Sequence, residues 1–196
     1  KADRSVFYQP VSTLIRGPDG YRTDIRKLLE RQLIESDNAA SDKLMAEVGG
    51  VEVVTRTLAD KGLEGLAVGG TERELQTRTA GLTWQPDYGV TWIFKQARAQ
   101  LSDEVRDAAL AAYLADPPDG AEPAAITRAL AALKNGELLS PKSTQVMLDL
   151  MARCRTGPSR LRAGLPGGWM IAHKTGTGPD WRGASVGIND VGLLTA

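Results

Sequence analysis

Two short runs of residues, far apart in the chain, carry the side chains that acyl transfer needs. They are Ser36-Asp37-Asn38, and Lys174-Thr175-Gly176 followed by Thr177-Gly178. Acyl transfer through a serine requires a nucleophile, a proton relay to the leaving group and a cation for an anionic substrate; deacylation requires a base that activates water. At a junction between two helical stretches, the Ser36 hydroxyl is placed to relay a proton to a leaving nitrogen. The Asn38 amide, two residues on, can hold a substrate carbonyl and a catalytic lysine together. Lys174 and Thr175, adjacent on a strand, offer an ammonium and a hydroxyl to a carboxylate or to a moving proton. Gly176 lets a substrate lie along the strand backbone without a side-chain clash. Taken singly, each run has a plain structural explanation, an N-cap cluster and a surface strand end. Their joint occurrence in suitable local contexts points to one site.

The elements that must position these residues are mostly helical. Thr23 is the expected cap of a helix whose Ile25, Leu28, Leu29, Gln32 and Leu33 follow helical spacing and place one stripe inward, and which stops just before Ser36. A second helix is expected from about Asn38 to Val48, ended by Gly49-Gly50, and a third from Val51 to a stop at Gly62. Pro123 and Ser140-Pro141 read as helix starts. Gly157-Pro158, Gly164, Pro166 and Gly167-Gly168 then punctuate a loop-rich stretch. Apolar runs bounded by glycines follow, read as an antiparallel pair of strands over 168–174 and 184–194, the second interrupted at Asn189-Asp190. The fold class is therefore α/β (α+β), a helical subdomain packed on antiparallel sheet. The division expected is a mainly helical subdomain over 1–155, with a long inserted loop over 77–115 that turns helical from Ser102 to Leu114, and part of the sheet subdomain over 156–196.

Composition excludes several other classes. The chain has 24 basic and 24 acidic residues, interspersed, so nothing in it forms an electrostatic footprint for nucleic acid or an anionic membrane. No apolar run approaches the roughly 18 residues of a membrane span. With one histidine and one cysteine, a zinc site of three or four His/Cys ligands is not expected, and no cofactor or metal is called for. His173 reads as a strand histidine beside Lys174 rather than a triad base, and Cys154 as core filling.

Further residues give the two runs a family context. Phe7-Tyr8-Gln9-Pro10-Val11, Thr71-Glu72-Arg73-Glu74-Leu75-Gln76, and Leu161 to Trp169 leading into Ala172-His173-Lys174-Thr175-Gly176 together resemble a class A serine β-lactamase, of the penicillin-recognising serine hydrolases. The resemblance implies that Tyr8 flanks the substrate, that Glu72 activates the deacylating water and that Gln76 helps hold it. It implies that Ser36 and Lys174 act in proton transfer, and that Asn38, Arg160, Thr175, Gly176 and Thr177 bind substrate. Glu74 is the alternative base if the loop register is off by two. It further implies a monomer in the periplasm or secreted, acting on a small β-lactam, with no nucleic-acid partner.

Departures from the pattern are equally specific. Gly70 stands where the family loop has an arginine that pairs with an aspartate, here Asp119, and Gln76 replaces an asparagine. Between Gln76 and Asp116 the chain exceeds the pattern by roughly thirty residues, far more than an ordinary connection. The Ser-x-x-Lys run that supplies the nucleophile is absent from these residues, and the chain opens on Lys1 without an initiator Met. The expectation is an internal segment of a larger enzyme. Three functions compete: a β-lactamase, a related D-alanyl-D-alanine peptidase or esterase, and a penicillin-binding-like module without turnover.

Overall fold

The computed structural model describes residues 10–15 and 19–196; Tyr8 lies outside the described residues. In chain order the helices are α1 (Pro10–Leu14), α2 (Ile25–Glu35), α3 (Asn38–Glu47), α4 (Val51–Asp60), α5 (Glu72–Thr79), α6 (Thr91–Ala99), α7 (Asp103–Ala115), α8 (Pro123–Lys134) and α9 (Pro141–Ala152). The strands are β1 (Met170–Thr177), β2 (Asp180–Trp181), β3 (Ala184–Ser185) and β4 (Ile188–Thr195).

Caps decide where the helices begin. Asp24, not Thr23, caps α2: its carboxylate accepts from the Lys27 backbone N–H at 2.8 Å, which corrects the sequence expectation by one residue. The α2 helix ends at Ser36, whose φ of 58° and ψ of 46° put a non-glycine residue in the left-handed region. That turn costs on the order of 1–3 kcal/mol and makes room for α3 to start two residues later. Asp37, fully buried, repays much of it. One oxygen caps α3 at Ala40 N (3.0 Å) and the other accepts from Val11 N (2.8 Å), tying α1 to the start of α3.

The apolar stripe of α2 packs on α9 through Leu33, Ile34 and Leu150, with Leu29, Val146 and Met147 alongside. Burying a Leu of this kind contributes about 1.5–3 kcal/mol, so the α2–α9 seam holds Ser36 firmly at its end. Leu28, Ala39 and Ala40 form a second cluster with Val11 on the other side of α2.

The stretch expected as a long loop over 77–115 is largely folded. It holds the end of α5, a 3-10 turn at Pro86–Gly89, α6 and α7, the last capped by Ser102. Its core is aromatic: Tyr88 meets Trp84 edge-on at 6.3 Å and Phe94 at 5.8 Å. The excursion leaves from a closed neck, where Leu66 and Ala121 form an isolated antiparallel bridge and Ala67 N donates to Gly120 O at 2.9 Å.

Strands β1 and β4 pair antiparallel, with Lys174 opposite Val191, Thr175 opposite Asp190 and Gly176 opposite Asn189. Asn189-Asp190 therefore does not interrupt β4, contrary to the sequence expectation. Instead the region from 184 splits at Val186-Gly187 into β3 and β4. Gly192 has no side chain for a steric reason, since a Cβ there would sit 2.7 Å from the His173 Cβ. No helix among the described residues is long and apolar enough to cross a membrane.

Candidate active site

A cleft of about 500 Å3 opens between α5, the end of α7 and strand β1, and its walls include Glu72, Gln76, Lys174, Thr175, Gly176 and Thr177. Ser36 joins it through Lys174, whose ammonium donates to Ser36 Oγ at 2.7 Å and to the Thr175 carbonyl at 2.7 Å. The left-handed turn at Ser36 is what aims this hydroxyl across 138 positions of sequence at the strand. Asn38 occupies the first turn of α3, half-buried, and is not part of the cleft wall.

Arg160 braces the end of β1 against β4. Its guanidinium donates to Gly176 O (3.0 Å), Asn189 O (2.6 Å) and Thr177 Oγ1 (2.6 Å), which fixes a positive charge beside the strand edge. Thr175 shares a 2.6 Å hydrogen bond with Thr156. Gly157, at φ 60°, allows that approach, because a Cβ there would lie 2.7 Å from the Thr175 methyl.

Glu72 opens α5, and its neighbour Asp42 determines where it stands. The Asp42 carboxylate, 1% exposed, accepts from Glu72 N (2.6 Å), Arg73 N (3.4 Å) and Arg73 Nε (2.8 Å). The sequence reading missed Asp42, although it follows Asn38 by four residues and so shares its helix face. Gln76, one turn along α5, donates to Glu72 Oε2 at 3.4 Å. Glu74 points elsewhere: its carboxylate closes a capping box with Thr71, accepting from Thr71 Oγ1 at 2.6 Å, and it is exposed.

The loop that lacks an arginine at Gly70 has other fastenings. Asp119 accepts from the Tyr113 hydroxyl at 2.7 Å, and Asp42 with Arg73 holds the loop's other side. Burial and the Asp119 contact push the Tyr113 phenol up to about 12.

Electrostatics distinguish the two central groups. Burial raises the Glu72 carboxyl above its ordinary value; the Gln76 hydrogen bond and Lys174 oppose the shift, while Asp42 and Asp119 add to it. Burial lowers the Lys174 ammonium, and Arg160 adds to that, against the raising influence of Cys154, Glu72 and Asp190. Beneath the strand, fully buried His173 places Nδ1 2.7 Å from Asp190 Oδ1 and Nε2 3.2 Å from Arg162. His173 thus packs away from the cleft and braces β1 against β4. Among the described residues no group of acidic, His or Cys side chains is arranged to hold a metal.

Such an arrangement can do specific chemistry. A fixed ammonium in contact with a hydroxyl can pass a proton, and a half-buried carboxyl steadied by an amide can take one from water.

Comparison with known proteins bears on the family and the fold. The family model described as the β-lactamase enzyme family matches residues 8–196. β-Lactamase VEB-1 of Pseudomonas aeruginosa is 26% identical over 91% of this chain and 49% of its own length. A β-lactamase of Mycobacterium tuberculosis is 39% identical over a shorter stretch, 37% of this chain and 25% of that protein. A solved β-lactamase from Chitinophaga pinensis superposes with a TM-score of 0.68 at 23% identity, covering 96% of this chain and 56% of that one. An ancestral (GNCA) class A β-lactamase superposes with a TM-score of 0.64 at 27% identity, covering 99% and 62%. The chain spans about half the length of VEB-1, and its helical-plus-sheet fold is that of class A β-lactamases. The chain belongs to the β-lactamase enzyme family.

Proposed function

We propose that this chain is part of a longer protein that hydrolyses the β-lactam amide bond through a serine acyl-enzyme. The nucleophilic serine is not in a Ser-x-x-Lys setting among these residues and would come from the rest of that protein. The observation that carries the reading is the 2.7 Å Lys174–Ser36 contact at a cleft whose opposite wall holds Glu72 and Gln76. The nucleophile's oxygen forms the ester as the lactam C–N bond breaks, and its proton is relayed by Lys174 and the Ser36 hydroxyl to the departing nitrogen, so that Lys174 and Ser36 end the step as they began it. Lys174, with Thr175 and Thr177 and the nearby charge of Arg160, receives the substrate carboxylate. The family resemblance alone assigns Asn38 and Tyr8 to substrate binding. Glu72 then takes a proton from water as the water's oxygen adds to the ester, and that proton returns to the serine oxygen as the ester C–O bond breaks, freeing the serine, the opened acid and the Glu72 carboxylate. Neither step calls for a cofactor.

The rival reading is a peptidase or esterase of the same superfamily, which would acylate but deacylate β-lactams poorly. The half-buried Glu72–Gln76 pair favours the hydrolase, because it gives a deacylating water a base and an anchor. A monomer acting in the periplasm or after secretion completes the proposal. The test is the intact mass of the full-length protein mixed with benzylpenicillin. A transient adduct with the mass of the whole penicillin, followed by return to the free mass and release of the opened product, supports hydrolysis. A permanent adduct supports the rival, and neither adduct nor opened product at any time overturns both.

A further inference from the structure

The helices that make this chain longer than its family pattern do not lie idle on the surface. The first half of α7 grips the tip of the β2–β3 hairpin. Trp181 Nε1 donates to Asp107 Oδ1 at 2.6 Å, and the Arg106 guanidinium lies over the Trp181 ring, 3.2 Å from its centroid. Arg182 bridges Asp103 (2.8 Å) and Asp107 (3.3 Å), and Arg98 of α6 donates to the Asp180 carbonyl. Two helices therefore contact three consecutive hairpin residues.

The hairpin is a stiff lever. Its two-residue turn, Arg182-Gly183, has positive φ at both positions (49° and 77°), as type I′ turns require. At its base, Gly178 N donates to Gly187 O (2.9 Å) and Val186 N to Pro179 O (3.2 Å), so it continues directly into β1 and β4. Holding the tip therefore fixes the strand edge from Gly176 to Pro179, one wall of the cleft.

The second half of α7 forms the facing wall. Tyr113, steadied by Asp119, and Leu114, 59% exposed, both border the cleft together with Pro117. An apolar side chain left this open at the mouth of a polar site is placed to meet an apolar part of a substrate.

We propose that α6 and α7 form a specificity clamp: they set the gap between α7 and the Gly176–Pro179 edge, and Tyr113 and Leu114 receive the acyl side chain of the substrate. The class of substrate favoured is a β-lactam with a bulky, apolar or aromatic acyl substituent. This rests on the hydrolase reading above. Since the carboxylate is assigned to Lys174, Thr175 and Thr177, the acyl group is left to the end of the cleft that α7 borders.

The experiment uses the full-length protein and two probes, benzylpenicillin with its aromatic side chain and 6-aminopenicillanic acid with none. The readout is the ratio of kcat/KM for the first over the second, in the wild type, in Leu114→Ser and in the double variant Arg106→Ala/Asp107→Asn. The expected result is a ratio reduced about tenfold in Leu114→Ser, the size expected for a lost apolar subsite. A reduction is also expected in the double variant, together with faster amide hydrogen exchange over residues 180–185. Ratios within twofold of wild type in Leu114→Ser and in a folded double variant overturn the clamp while leaving the hydrolase intact. Should the double variant fail to fold, exposed Leu114 decides the matter alone. If the wild type turns over neither compound, the hydrolase reading fails first and the clamp with it.

Discussion

Lys174 Nζ stands 2.7 Å from Ser36 Oγ, joining the end of helix α2 to strand β1. Both partners are held by their own elements, Ser36 by a left-handed turn and Lys174 by an eight-residue strand. The contact is thus a property of the fold and is in place before any substrate arrives.

Removing the ammonium should expose its worth. Lys174→Ala deletes a charge-assisted hydrogen bond worth about 1.5–3 kcal/mol, so kcat/KM should fall at least tenfold. Steady-state kinetics on the folded variant check this; unchanged kinetics would remove Lys174 from the site.

The pH profile should be bell-shaped, with both limbs drawn inward. Glu72 must be ionised to accept a proton, and its carboxyl lies above the ordinary 4.5, so the acid limb should lie above pH 4.5. Lys174 must be charged to bind a carboxylate, and its ammonium lies below the ordinary 10.5, so the alkaline limb should lie below pH 10.5. Gln76→Leu removes a hydrogen bond that favours the Glu72 carboxylate, so the acid limb should move to still higher pH. A shift to lower pH would contradict the contact.

The same shift carries a stability signature. A carboxyl whose folded pKa is raised favours its neutral form, so its contribution is full below the unfolded value near 4.5 and is lost as pH rises through the folded value. Glu72→Gln, permanently neutral, should therefore be more stable than the wild type at neutral pH, with the difference vanishing below about pH 4.5. Denaturant titrations at the two pH values measure it.

Asp42 should matter to the chemistry without touching substrate. Asp42→Ala leaves two backbone N–H groups and the Arg73 guanidinium without their acceptor, at about 1–3 kcal/mol for each such group that stays buried. The start of α5 should loosen, and the deacylation rate should fall more than the acylation rate. Equal loss in both steps would mark Asp42 as a residue of general stability only.

Much of this was legible in the chain. Pro123, Ser102 and Ser140-Pro141 announce helices because caps are local chemistry, and the glycine-bounded run at Trp169–Ala172 announces a strand for the same reason. Asp24 displaced Thr23 as a cap because both residue types suit the position and only backbone geometry chooses. Residues 77–101 were opaque because Trp84, Tyr88 and Phe94 fold this region by packing on one another, which no local period reveals. Asn189-Asp190 looked like a break, yet Asp190 is accommodated in β4 by His173 and by the Leu161 backbone N–H at 3.2 Å. The runs around Ser36 and Lys174 marked residues that the fold brings into contact, while Asp42 and the contacts of α7 carried no motif.

Glu72 as the base of the deacylating step is open to one direct measurement. Full-length Glu72→Ala and Glu74→Ala proteins are mixed with benzylpenicillin, and the acyl-enzyme is followed by mass spectrometry with time. Glu72 stands in the cleft with Gln76 beside it, whereas Glu74 is engaged at the helix cap. Glu72→Ala should still acylate, with deacylation slowed by about 100- to 10,000-fold, so the adduct accumulates. Glu74→Ala should turn over near the wild-type rate, losing only the stability of a cap. Wild-type turnover in Glu72→Ala, with the adduct accumulating in Glu74→Ala instead, would contradict the account.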